Sequence, residues 1–347
     1  MLRPMPRYRL GVLDQSPIAE GRGAAQAVAE TIDLARRAEQ LGYTRYWLAE
    51  HHSSESFAGP CPEILMAHLA AQTHAIRIGS GGVMLMHYSA LKVAEQFRML
   101  ETLHGGRIDL GIGRAPGADA LGIEALSPNG ASPDVEQRLF EAKLRDLTGF
   151  LRGELDPDHR HAQVVAMPRG EGLPELWLLG SGTKSAALAA KLGWGFCFAH
   201  FIGGASGVPV VEAYREAFVP SPWLERPRVA IGAFILAAGD DAEAERLVSS
   251  TELWFIELQR GRRIPFPSPE RAVARTSNPA AAAMRRQLRA LRLHGGPDTV
   301  GAGLERLSML YETEEFLIVT ITHDHEARVR SYEILAEIAE LEAPRAP

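Results

Sequence analysis

The chain has 347 residues, a formal net charge of −6 at neutral pH, 46% apolar residues and only two cysteines. That length holds two or three ordinary domains, or one barrel of about 250 residues with about 100 more. Two cysteines exclude a disulfide scaffold and a four-cysteine zinc site, the acidic balance argues against nucleic acid or an anionic membrane as partner, and 33 glycines with 22 prolines are too few for a low-complexity chain.

Short β-branched or apolar runs alternate along the chain with longer stretches of helical period. Arg9–Leu13 reads as a strand, and Ala24–Leu41 as a helix with Ala27, Val28, Ile32, Leu34, Ala35, Ala38 and Leu41 on one face and Gly42 as its stop. Thr44–Ala49 is the second strand, followed by a helix over Pro62–Ala75. Ile76–Leu85 and Ala90–Leu103 form the third pair, and Arg107–Ile112 and Pro133–Leu151 the fourth. Leu176–Leu179 with Thr183–Leu192, then Gly195–Phe198 with Val208–Phe218, are the next two. Val229–Ala237 is the seventh strand, with helical pattern at Asp240–Gln259 and Pro297–Leu310; Phe316–Ile321 and His325–Leu341 close the series.

Eight strands, each followed by a helix, predict parallel βαβ units and a single (β/α)8 TIM barrel spanning residues 1–347. Three segments exceed that plan. Ala115–Pro133 is a Gly/Pro-rich loop after the fourth strand. Residues 153–175 (Gly153–Glu175) form a polar insertion whose Val164–Val165 run suits a hairpin. Residues 261–279 (Gly261–Pro279), Arg- and Pro-rich after the seventh strand, are expected to form an active-site lid. The N-terminus lacks the apolar core of a secretory signal and no apolar run reaches about 18 residues, so a soluble, cytoplasmic protein is expected.

Active sites of such barrels lie at the carboxyl ends of the strands, which directs attention to the residues just after each one. Glu50-His51-His52 offers three ligand-type side chains in a row, but strand alternation turns Glu50 and His52 one way and His51 the other. A metal-dependent hydrolase is therefore the lesser reading, and no metal is expected; a histidine acting as hydrogen-bond donor or proton shuttle is favoured. In LWLLGSGTKSAA (Leu176–Ala187) a strand enters a turn that opens a helix, so free amides with Ser181, Gly182, Thr183 and Lys184 suit a phosphate. The same turn fits a capped helix with no ligand, or a weak dinucleotide site, although the next strand brings no acidic residue for a ribose. In RIDLGIGRAPG, Arg114 follows the neighbouring strand and would pair with the same anion. Gly79, Gly81 and Gly82 within one strand imply a bulge or the close approach of a ligand. Cys61 and Cys197 sit in apolar company and read as inert core thiols.

Taken together and in order, LGVLDQSP, RYWLAEHH, IRIGSGGVMLMHYSALKVAEQFRMLETL, GRIDLGIGRAPG, ELWLLGSGTKSAALAAKLG and FAHF resemble the bacterial luciferase-like flavin monooxygenases, in particular their single-chain oxidoreductases. The resemblance runs from Leu10 to about Phe201 and implies reduced FMN bound at the strand ends of a TIM barrel. It assigns the FMN phosphate to Arg114, Ser181, Gly182 and Thr183 with Lys184, and a non-proline cis peptide under the flavin ring to Gly81–Gly82. It matches the family histidine that handles oxygen intermediates to His51, with His52 beside it. The light-emitting members carry a cysteine where this chain has Gly113, which speaks against bioluminescence. The implied reaction inserts one oxygen atom from O2 into a small organic substrate through a C4a-peroxyflavin, with FMNH2 supplied by a separate reductase and the enzyme working as a homodimer. An F420-dependent dehydrogenase on the same fold and a non-catalytic FMN-binding protein are the alternatives.

Overall fold

The computed structural model describes residues 7–114, 117–127, 133–170, 172–276 and 279–344. In chain order its strands are β1 (Arg9–Asp14), β2 (Arg45–Leu48), β3 (Arg77–Ser80), β4 (Val83–Met84), β5 (Ile108–Gly113), β6 (Glu175–Gly180), β7 (Gly195–Ala199), β8 (Val229–Ala237), β9 (Arg292–Gly295) and β10 (Glu315–Val319). Between them run α1 (Ala24–Gln40), α2 (Pro62–Gln72), α3 (Ala90–His104), α4 (Ala120–Leu126), α5 (Pro133–Arg152), α6 (Thr183–Leu192), α7 (His200–Gly203), α8 (Val208–Glu216), α9 (Asp241–Gln259), α10 (Pro269–Thr276), α11 (Pro279–Arg289) and α12 (Pro297–Tyr311), and α13 (His325–Ile338) ends the series.

β10 pairs in parallel with both β1 (Leu10 with Phe316) and β8 (Ala233 with Ile318), which closes the sheet. The circuit β1-β2-β3-β5-β6-β7-β8-β10 is the eight-stranded parallel barrel that the alternation predicts. Closure follows from pattern: Ile108, Leu110 and Ile112 of β5 are buried together with Gly111 and Gly113, as strands covered on both faces require. One apolar cluster fills the space between the outer barrel wall and the helices; a second, with Leu13, Trp47, Trp177 and Leu317, fills the barrel itself.

Two departures shape the mouth of the barrel. The single strand expected over Ile76–Leu85 breaks into β3 and β4. Gly79 pairs with Asp109, whereas Val83 pairs with Ile112, so four steps on one strand face three on the other. That one-residue excess is a bulge, and it falls at Gly81–Gly82, whose peptide bond is cis. The second departure is β9, which the strand pattern misses. β8 is nine residues long. Its first half pairs with β7 and its last four residues with β9, along the edge opposite β10. β9 and α11 together occupy the stretch before α12 that looks unstructured in the sequence. Alanine-rich PAAAAMRRQLR, with proline at its start, favours a helix. Its Arg285 and Arg289, four residues apart, both reach Glu252 and Glu245 of α9.

The hairpin expected around Val164–Val165 does not form. Successive turns take the backbone bonds instead, Ala162 N–H donating to His159 O and Val164 N–H to His161 O, and both valines stay partly exposed.

The amino-terminal end of the barrel is floored by charge. Arg45, nearly fully buried, meets Asp109 at 2.5 Å, Glu315 at 2.8 Å and Glu175 at 3.0 Å. Arg228 repeats the contacts to Glu175 and Glu315, and Arg77 reaches Asp109 at 2.7 Å. Both Arg45 and Arg228 lie 5.0 Å from the Trp177 ring centroid. Gly79 belongs to this floor. A Cβ there would stand 2.5 Å from Trp47 and 2.7 Å from Asp109, so packing inside the barrel, rather than a ligand, accounts for this glycine.

Candidate active site at the carboxyl ends of the strands

Strand alternation at the end of β2 divides the acidic-histidine run. Buried Glu50 and His52 turn the same way, and their side chains meet at 2.7 Å through His52 Nε2. Glu50 also accepts from Tyr88 OH at 2.7 Å and from Met84 N–H at 3.0 Å, which ties the end of β2 to β4 and the turn beyond it. A carboxylate only accepts, so Nε2 of His52 carries the proton in this contact. His51 turns the other way and stacks on Phe57, with ring centroids 4.4 Å apart. Burial, and then the neighbouring His52, lower its pKa to about 4, so the ring is neutral at physiological pH. Its Nδ1 is buried without a hydrogen-bond partner among the described residues. Among the described residues no group of three His, Cys, Asp or Glu side chains is placed to hold a metal.

Both histidines line a cavity of about 470 Å³ at the barrel mouth. Gln15 after β1, Phe201 after β7 and Phe234 of β8 supply more of its wall, with Trp254, Phe255 and Leu258 from α9. The described part of the 261–279 segment lies over one side. Phe266 N–H donates to Ile18 O and Phe266 O accepts from Glu20 N–H, each at 2.8–2.9 Å. The fully buried Phe266 ring stacks on Trp254 at 4.9 Å and tilts against Phe57 at 5.7 Å. Ser56 knits the same corner, donating to Ile264 O and accepting from Trp254 Nε1. Arg263 reaches back to Ser53 O and to Asp119, the N-cap of α4. Truncating so buried an aromatic costs about 3–5 kcal/mol. Phe266→Ala should lower unfolding stability by about that amount in denaturant titration, and an unchanged midpoint would show that the segment is not seated.

The expected phosphate residues lie on the adjoining rim and not in the cavity wall. Ile112 pairs with Leu178, so Arg114 and Gly180 leave neighbouring strands β5 and β6 at the same level. Arg114 is exposed and donates to Gln137. α6 begins at Thr183 with Gly182 as its N-cap and no side-chain cap, and a Cβ on Gly182 would meet nothing within 4 Å. The helix therefore opens with unsatisfied amides above free space, beside the exposed Thr183 and Lys184 and the half-buried Ser181. An anion fits such a cradle. Gly81 and Gly82 lie apart from the cavity. A Cβ on Gly82 would clash with the backbone of Gly111 and Gly113, and one on Gly81 with Leu13, so strand packing explains their small size without a ligand.

Reading from strand ends alone misses half of the cavity. Trp254, Phe255 and Leu258 look like the apolar stripe of a helix, Leu288 and Leu291 close a segment with no assigned structure, and Arg292 sits on the unforeseen β9. A signal existed in α9, where WF interrupts a helix rich in charge just before the Arg- and Pro-rich run. The cysteines divide: Cys197 is a buried core thiol pushed up to about 12 by burial. Cys61 is exposed, because it precedes α2 as its N-cap and falls outside the apolar stripe.

A family profile described as luciferase-like monooxygenase matches residues 8–312. The chain belongs to the luciferase-like monooxygenase family. Relatives of this luciferase-like chain include the N-acetyl-S-alkylcysteine monooxygenase of Bacillus subtilis (strain 168), 40% identical over 329 residues that cover 95% of this chain and 97% of the relative. A luciferase-like monooxygenase of Escherichia coli (strain K12) is 37% identical, with 95% and 96% of the two chains covered. Among solved structures, apo-MsnO8 superposes with a TM-score of 0.88 at 38% identity, over 97% of this luciferase-like chain and all of the other. No helix among the described residues is long and apolar enough to cross a membrane.

Proposed function

We propose that the protein is an FMNH2-using monooxygenase that inserts one atom of O2 into a small organic substrate, with reduced flavin delivered by a separate reductase. The observation that carries this reading is the uncapped start of α6 beside Arg114, an anion cradle on the same rim as a histidine-lined cavity. In this reading Arg114, the α6 amides with Ser181, Gly182, Thr183 and Lys184 hold the FMN phosphate, and Gly81–Gly82 lie beneath the ring. Reduced FMN, when bound, supplies the electrons that activate O2.

The chain's own residues then have three tasks. His51, neutral and without a partner at Nδ1 among the described residues, donates or accepts one hydrogen bond at the reacting oxygen. Glu50 and Tyr88 hold His52 at its side. The aromatic wall and the 261–279 segment, acting as a lid, keep water from the site. The exposed Ile64 of α2 with Met99 and Leu103 of α3 supports a homodimer. The relative named for N-acetyl-S-alkylcysteine places acylated S-alkyl amino acids first in a substrate panel.

The cradle is tested with two flavins that differ by one phosphate. A hydrogen bond to a charged group is worth about 1.5–3 kcal/mol. Arg114→Met should therefore weaken FMN binding by about ten- to a hundredfold and leave riboflavin within about twofold. Equal loss for both flavins, or tight binding of F420 with none of FMN, would overturn the assignment.

A further inference from the structure

Arg292 is a cation in the cavity wall with no ion-pair partner among the described residues. It stands at the start of β9, where register with Phe234 of β8 sets it at the barrel mouth. Its guanidinium lies 4.9 Å from the Phe234 ring centroid and 5.9 Å from that of Phe255. Among the described residues one of its five N–H groups is used, in a 2.9 Å bond from Nη1 to Thr251 Oγ1. No carboxylate among the described residues lies within ion-pair distance of it. The adjacent acidic residue, Glu252, is committed to Arg285 and Arg289 at 2.7 and 2.6 Å.

The cost of this arrangement is visible: burial outweighs Glu252 and lowers the Arg292 pKa to about 10. A guanidinium fixed between two rings, with free donors and apolar surroundings, is set for a planar anion that it can grip with two parallel bonds. Trp254, Leu258, Leu288 and Leu291 line an apolar part of the same cavity and suit a hydrocarbon body. The cavity's volume, about 470 Å³, suits a small ligand.

We infer that Arg292 is a specificity-determining residue that binds the carboxylate of the substrate, so that the protein acts on organic acids carrying an alkyl or aryl body rather than on neutral hydrocarbons or aldehydes. This rests on the monooxygenase reading for the word substrate, but its test does not. Hexanoate, hexanamide, 1-hexanol and hexylammonium are titrated calorimetrically into the intact protein, without reduced flavin or oxygen. Hexanoate should bind at least about tenfold more tightly than hexanamide, the discrimination expected of a charged hydrogen bond, and hexylammonium should bind least.

Arg292→Met should abolish that preference while keeping hexanol binding and FMN affinity within about twofold. Arg292→Lys, which keeps the charge but loses the fork, should retain only part of the preference. Equal binding of hexanoate and hexanamide by the unaltered protein would overturn the proposal, and that arm needs no variant to fold. So would a preference that survives in Arg292→Met, or a parallel loss of FMN, which would assign Arg292 to the cofactor. A protein that prefers hexanoate yet consumes no oxygen with FMNH2 would keep this inference and lose the monooxygenase reading.

Discussion

Replacing His51 with alanine should lower product formation by about a hundred- to ten-thousandfold, the range for a positioned acid–base group, while reduced flavin is still oxidised and hydrogen peroxide release rises. The ring lines the cavity, and its buried Nδ1 has no hydrogen-bond partner among the described residues. Stacking on Phe57 fixes its plane, and burial keeps it neutral. A neutral ring donates at one nitrogen and accepts at the other, as proton handling at an oxygen requires. Because its pKa is lowered to about 4, the rate should show no inflection from this residue near 6.5, the ordinary value for imidazole. Stability carries the same signature. Between about 6.5 and 4 the unfolded chain binds a proton that folded His51 refuses, so stability falls as pH drops through that window. His51→Ala should flatten that part of the acid limb. Coupling of oxygen uptake to product that is unchanged in the variant would remove His51 from the mechanism.

The largest effect on folding is expected at the opposite end of the barrel. Asp109 is fully buried and accepts from Arg45, from Arg77 Nε at 2.7 Å and from Trp47 Nε1 at 2.8 Å. Removing one partner of a buried ionic network strands the others, at about 3–5 kcal/mol. Asp109→Ala should therefore lose about that much in urea unfolding, whereas Glu333→Ala, which breaks a surface pair with Arg330, should cost under about 1 kcal/mol. Acid loosens the same floor through Glu315. Burial alone would raise its pKa, but Arg45 and Arg228 outweigh burial and hold it below the usual carboxylate value. Its stabilisation is thus present above the ordinary carboxylate pKa and is lost as pH falls through the lowered folded value. Equal cost for the floor and surface variants would refute the role given to the network.

The barrel is legible because each of its strands is local. Val229–Ala237 and Phe316–Val319 announce themselves as β-branched and apolar runs, and their spacing by helices leaves only a parallel closed sheet. The histidine pair is legible for the same reason, since alternation alone sends His51 and His52 to different sides. The cavity is not local. Ser56 bonds to Ile264 across 208 residues, and Phe57 meets Phe266 over a comparable separation, so no window of sequence holds both halves of the roof. β9 has four residues, too few for a period to register, and without it Arg292 reads as one more surface arginine. The glycine run is legible only in part. Gly79 makes room for Trp47, and Gly82 lies against the backbone of β5 at the bulge, which is one of the two readings of the glycine run.

Oxygen insertion from reduced flavin is tested most directly with an isotope. The protein is incubated with a flavin reductase, NADH, FMN and 18O2, over a panel of aldehydes, hydrocarbons, S-alkyl acids and other carboxylates, and the products are weighed by mass spectrometry. The expected product gains one 18O atom, only when the protein and reduced FMN are both present, with peroxide falling as product rises. Substrate oxidised without 18O, or oxygen consumption no different from that of reductase and FMN alone across the panel, would contradict it.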